Sequence, residues 1–115
     1  MPNAAPTAAE KAARFRALHA PGAPFIMPNP WDAGSARILE ALGAKALATT
    51  SSGFALTLGR RDYGVARDES LAHARAIVEA VDVPVSADLE NGFGLAPKNA
   101  SETIRLAAQT GLAGG

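Results

Sequence analysis

Three short apolar runs, each followed by a helical pattern, alternate along this chain, and that order constrains the fold more than any other feature. Phe25-Ile26-Met27 is the first run, bounded by prolines, and reads as a buried strand. Lys45 to Thr50 is the second. Its alanines are weak strand formers, so its place between helices carries the assignment. Val83-Pro84-Val85-Ser86-Ala87 is the third, with Pro84 at its start, where a missing donor is tolerated.

The helices between them carry their own signals. Asp32 can cap a helix in which Ala36, Leu39 and Leu42 share a face, and Gly43 suits its left-handed end. Asp68 is placed to cap another, with Leu71, Ala74, Val78 and Val81 on one face. Asn99 and Glu102 begin a third, packed through Thr103, Ile104 and Ala107 and ended by Gly111. A leading helix precedes them all. Thr7 and Glu10 have capping-box spacing, Ala8, Ala12, Phe15 and Leu18 recur at helical intervals, and Pro21, Gly22 and Pro24 break it. Ser51 to Arg67 shows no clear periodicity and reads as a long loop, a class that tends to be functional or disordered.

Alternation of this kind predicts a parallel sheet with helices outside it. It closes either as a doubly wound sheet or as a (β/α)₈ barrel. A barrel needs about 200 residues or more. The 115 residues therefore correspond to about three of its eight units, and Leu112-Ala113-Gly114-Gly115 lie where a fourth strand would begin.

Composition removes several function classes. Eleven basic and eleven acidic residues cancel, which leaves no basic field for nucleic acid or anionic lipid. The absence of cysteine rules out disulfides, thiolate nucleophiles and Cys-ligated zinc, and a cytoplasmic location fits. Hydrophobic residues at 48% argue against disorder. Met1 to Glu10 lacks the basic-then-apolar order of a secretory signal. No apolar stretch approaches the roughly 18 residues of a membrane span.

Ala87-Asp88-Leu89-Glu90-Asn91-Gly92-Phe93-Gly94 is the most informative stretch. Extended chain would aim Asp88 and Glu90 the same way, at the C-terminal end of a parallel strand, where sites are built. Two convergent carboxylates repel, and a hard cation relieves that. Magnesium takes one or two carboxylates, with water and substrate completing its octahedron. Gly92 and Gly94 would let backbone approach a ligand. A solvated acidic turn explains the same residues. Thr49-Thr50-Ser51-Ser52-Gly53-Phe54 offers hydroxyls and backbone donors suited to carboxylate or phosphate oxygens, and equally an ordinary Ser/Thr turn. Asp62, beside Arg60 and Arg61, could join a metal shell or sit in a charged loop, and Trp31 could pack over a site. His19 and His73 read as surface residues on helices.

Three stretches together resemble the isocitrate lyase / phosphoenolpyruvate mutase superfamily. They are Pro28-Asn29-Pro30-Trp31-Asp32-Ala33-Gly34-Ser35-Ala36-Arg37, then Thr49-Thr50-Ser51-Ser52-Gly53-Phe54-Ala55, then Pro84 to Gly94, which is similar to that family's Asp-x-Asp-x-Gly-x-Gly metal segment. The resemblance runs from about Phe15 onward and implies a (β/α)₈ TIM barrel with a Mg2+ site at its mouth. Residues 1–115 would be its N-terminal portion, truncated before the fourth strand. Family members cleave or form C–C or P–C bonds to 2-oxo acids or related carboxylates through a pyruvate enolate, and full-length members are homo-oligomers. Carried over, Asp88 is the main magnesium carboxylate and Glu90, where an aspartate is commoner, ligates through water. Ser51, Ser52 and Gly53, with Phe54 and Trp31 beside them, hold the substrate, and Asp62 lies near the metal-bound water. The family's lid and its acid–base group would lie beyond residue 115. The competing expectation is a catalytically inactive fragment.

Overall fold

A computed structural model describes residues 3–115. The order is α1 (Ala8–Leu18), α2 (Ala33–Ala41), β1 (Leu47–Ala48), α3 (Ser51–Thr57), α4 (Arg67–Ala80), β2 (Val85–Ser86) and α5 (Pro97–Ala108). β1 and β2 pair in parallel, Leu47 beside Val85 and Ala48 beside Ser86. The ladder is extended on both flanks by short contacts outside the named strands. On one side the Ala48 N–H donates to Pro28 O at 3.1 Å. On the other, Ser86 bridges Gly114 in parallel, and Ala113 N–H donates to Val85 O at 2.8 Å. Residues 112–115 thus begin to pair where a fourth strand was expected.

Phe25-Ile26-Met27 is not the buried strand that its apolar character predicts. It takes no strand assignment, and Ile26 is 85% exposed. Pro28, next in line, has no N–H to donate to a ladder, and its carbonyl accepts from Ala48 N–H.

Capping is where local sequence and structure agree best. Thr7 and Glu10 form the capping box of α1 in both directions. Asp32 caps α2 through Ser35 N–H at 2.7 Å, and Gly43 beyond its end has φ +100°. Asp68 does not cap α4. Ala66 occupies that position, its N–H satisfied by Glu69 Oε2, and Asp68 lies in the first turn near the helix's positive end. The stretch after Ser51 is not all loop. Its first seven residues form α3, with Thr50 as N-cap accepting from Gly53 N–H.

Two adjoining clusters make the core. Ala36, Leu47, Ile77, Val78, Val81 and Val85 join α2, α4 and the strands. Leu71, Ala87, Leu89 and Ala107 join α4 and α5 to the segment after β2. Some expected faces are rotated. Leu42 and Ile104 are exposed, and on α1 Ala8 and Ala12 face out while Lys11 is buried.

Lys11 has a physical reason to be inside. Its ammonium donates to Val81 O at 2.7 Å and Val78 O at 3.3 Å, which fills the vacant carbonyls at the C-terminus of α4. Glu40 does the converse a turn later, its Oε2 accepting from Asp82 and Val83 N–H. Arg37 Nε donates to Ala80 O. These three side chains lock the turn that feeds β2.

Candidate active site

Both paired strands release their chains at the same end, and the expected carboxylates gather there. Asp88 is held on several sides. Its N–H donates to Thr49 Oγ1, from the residue just past β1, at 3.1 Å. Its Oδ2 accepts from Ser51 N–H at 3.1 Å and from Ser51 Oγ at 2.8 Å. Its Oδ1 accepts from Glu90 N–H at 3.0 Å. Ser51 Oγ also lies 3.1 Å from Asp62 Oδ1, and the same Asp62 oxygen accepts from Tyr63 N–H. Asp62, Ser51 and Asp88 are thereby brought into one contact group from three segments.

Glu90 joins them electrostatically, though not by strand alternation. Its φ is +55°, so the chain has left the extended geometry that would aim it beside Asp88. Burial raises the Glu90 carboxyl above its ordinary pKa, and the charges of Asp62 and Asp88 raise it further. Asp88 goes the other way. Burial pushes it up, but the hydrogen bonds from Glu90 N–H and from the Ser51 hydroxyl and N–H outweigh that and leave it below the ordinary range.

The aromatic residues of the expected site form a separate group beside the carboxylates. Phe54 stacks on His73 with ring centroids 3.7 Å apart, and His73 Nε2 meets Trp31 O at 2.8 Å. His73 is therefore half-buried and partnered, where a surface position was expected. Trp31 covers the first turn of α3. A Cβ on Gly53 would sit 2.6 Å from Trp31 Nε1, so only glycine admits the indole. Ser52 is exposed on that turn. Gly92 and Gly94 also serve packing. A Cβ on Gly92 would meet Ala100 Cα at 2.6 Å, and one on Gly94 would strike the Asn99 side chain, so both glycines let the loop close onto α5.

The donors near Asp88 are all oxygen, with no thiolate or imidazole in contact with it. Oxygen donors and crowded negative charge suit a hard divalent cation. Among the described residues no group of three or more His, Cys, Asp or Glu side chains gathers as a full metal site.

Sequence reasoning missed the roles of Thr49, Thr50 and His73. Thr50 had a readable signal, since threonine is a favoured N-cap residue. Thr49 and His73 act across 39 and 42 residues of sequence, beyond any local pattern.

Comparison with known proteins converges on one family. The family model for phosphoenolpyruvate phosphomutase matches residues 15–115. 2,3-dimethylmalate lyase of Eubacterium barkeri is 38% identical over 104 residues, covering 89% of this chain and 36% of that enzyme. A crystal structure from Burkholderia cenocepacia J2315 with a provisional lyase/mutase assignment superposes with a TM-score of 0.89 at 54% identity, covering 91% of this chain and 38% of that one. The crystal structure of 2,3-dimethylmalate lyase, described as a PEP mutase/isocitrate lyase superfamily member, superposes with a TM-score of 0.80 at 31% identity, covering 94% and 38%. The chain thus spans little more than a third of the relatives it matches.

Proposed function

This chain belongs to the phosphoenolpyruvate mutase / isocitrate lyase superfamily, and from that premise we propose that it forms the N-terminal part of a Mg2+-dependent (β/α)₈ barrel lyase acting on a 2-oxo acid or related carboxylate. The reaction class is cleavage or formation of a C–C or P–C bond through a pyruvate enolate. The observation that carries this reading is the joint held by Ser51, where Asp62 and Asp88 meet at the C-terminal ends of parallel strands, with Glu90 near enough for their charges to raise its pKa.

Asp88 would hold the cation directly and Glu90 through water. The bound ion would supply positive charge against the negative charge that develops on the substrate oxygen. The chain's own residues prepare that place. Thr49 and Ser51 fix the Asp88 backbone and carboxylate, so little reorganisation remains when a ligand arrives. Asp62, tied to Ser51 and to Tyr63 N–H, is positioned to orient a water. Ser52, the exposed residue of the first turn of α3, would offer the substrate carboxylate its hydroxyl, and Phe54 braced on His73 keeps that turn in place.

The test is a thermal melt with magnesium and oxalate, a planar dianion shaped like the enolate. A ligand that binds the folded state alone raises Tm by mass action. A rise that needs both components and disappears in Asp88→Asn supports the reading. A melt indifferent to both, in a chain that melts cooperatively, would overturn it.

A further inference from the structure

Ser51 occupies an unusual share of Asp88. An ionised carboxylate offers about four lone-pair positions. Ser51 takes both on Oδ2, through its N–H and its hydroxyl, and Glu90 N–H takes one on Oδ1. The fourth, on Oδ1, is what remains for a cation. The hydroxyl has one hydrogen and two acidic neighbours, and its contact is shorter to Asp88, at 2.8 Å, than to Asp62, at 3.1 Å.

We propose that Ser51 is a positioning residue that restricts Asp88 to ligation through one oxygen and so favours magnesium over calcium. The inference rests on the reading of Asp88 as the cation ligand. Magnesium demands near-ideal octahedral geometry with short bonds, and a single carboxylate oxygen fits it. Calcium accepts more ligands at longer range and readily takes both oxygens of one carboxylate. With Oδ2 occupied, the two-oxygen mode is closed. Removing the hydroxyl frees a lone pair on Oδ2 and opens that mode, while the Ser51 and Glu90 N–H groups still hold the carboxylate. The role differs from that of a residue holding substrate, because it acts through Asp88 and its signature is a cation preference.

The test is calorimetric titration of the full chain with magnesium chloride and, separately, calcium chloride, with no substrate present. Ser51→Ala should weaken magnesium binding and shift the calcium-to-magnesium affinity ratio toward calcium by about tenfold, the lower end of what supporting residues contribute at metal sites. Ser51→Thr, which keeps the hydroxyl, should retain the original ratio. Ser51→Cys, with a weak donor of similar size, replaces the alanine variant should that one not fold, and should shift the ratio the same way. An unchanged ratio in Ser51→Ala or Ser51→Cys, while Asp88→Asn has lost both cations, overturns the inference and leaves the metal site standing. Undiminished cation binding in Asp88→Asn, or none by the original chain, overturns the reading beneath it.

Discussion

Lys11 and Asp88 stand at opposite ends of the parallel strands, and each is a charged group gripped by backbone. Lys11 is 7% exposed and its ammonium is spent on two carbonyls at the end of α4. Asp88 is left with spare acceptor capacity, and its neighbours Asp62 and Glu90 carry the same sign. At the first end each charge completes something the backbone lacks, as Glu40 does for the Asp82–Val83 turn. At the second, Ser51 bridges Asp62 and Asp88, whose charges push the Glu90 carboxyl up. A fold holds such an end in place only if the rest is well satisfied.

The largest expected effect comes from what both ends share. Ile77 is fully buried in the cluster between α2, α4 and the strands. Ile77→Ala should cost about 2–5 kcal/mol, read by urea denaturation, and should lower the carboxylate end's ligand response together with overall stability. Next is magnesium itself. Saturation at a hundred times Kd should add about 2.7 kcal/mol to the original chain and nothing to Asp88→Asn, measured as a Tm difference. Equal gains in both proteins would erase the distinction between the two ends.

Lys11→Ala should follow, at about 1–3 kcal/mol, because it strands two buried carbonyls. Magnesium binding per folded molecule should stay as it was. A variant that lost cation binding while still folded would show the two ends to be coupled.

The smallest effect is a slope. Glu90 has a raised pKa in the fold, so the folded state holds its proton more tightly than the unfolded chain does. Its contribution is complete below the ordinary glutamate range and is lost as pH rises through the folded value. Asp88, with a lowered value, contributes above the ordinary aspartate range and loses that contribution as pH falls. Glu90→Gln should flatten the decline on the rising side, and Asp88→Asn the decline on the falling side. Melts across the acid range without magnesium read both slopes, and a Glu90→Gln profile that still declines with rising pH would refute the assignment of strain to that carboxylate.

Legibility in the sequence tracked the distance over which each feature acts. The Thr7–Glu10 box, the Asp32 cap and the turn at Gly43 are written within a few residues and appear as expected. α3 went unread because its seven residues are too few to establish a period, although Thr50 marked its start. The apolar run at residues 25–27 misled, since hydrophobicity alone does not supply a partner for each backbone group. Helix faces were legible only in part. On α4 Leu71, Ala74 and Val78 are inside as spaced, while on α1 the buried position went to Lys11 because vacant carbonyls lay opposite it.

By itself the sequence determined the α/β character, the caps of α1 and α2, the all-oxygen character of the candidate site and the family. Those rest on residues that act on near neighbours or on motifs read in a line. Only the tertiary structure decided that Ser51 would meet Asp88 across 37 residues, that Glu90 would arrive through a left-handed turn, and that Phe54 would brace on His73. The reason is register. Setting Ala48 beside Ser86 places the residue three past one beside the residue two past the other, and no spacing within either segment encodes that pairing.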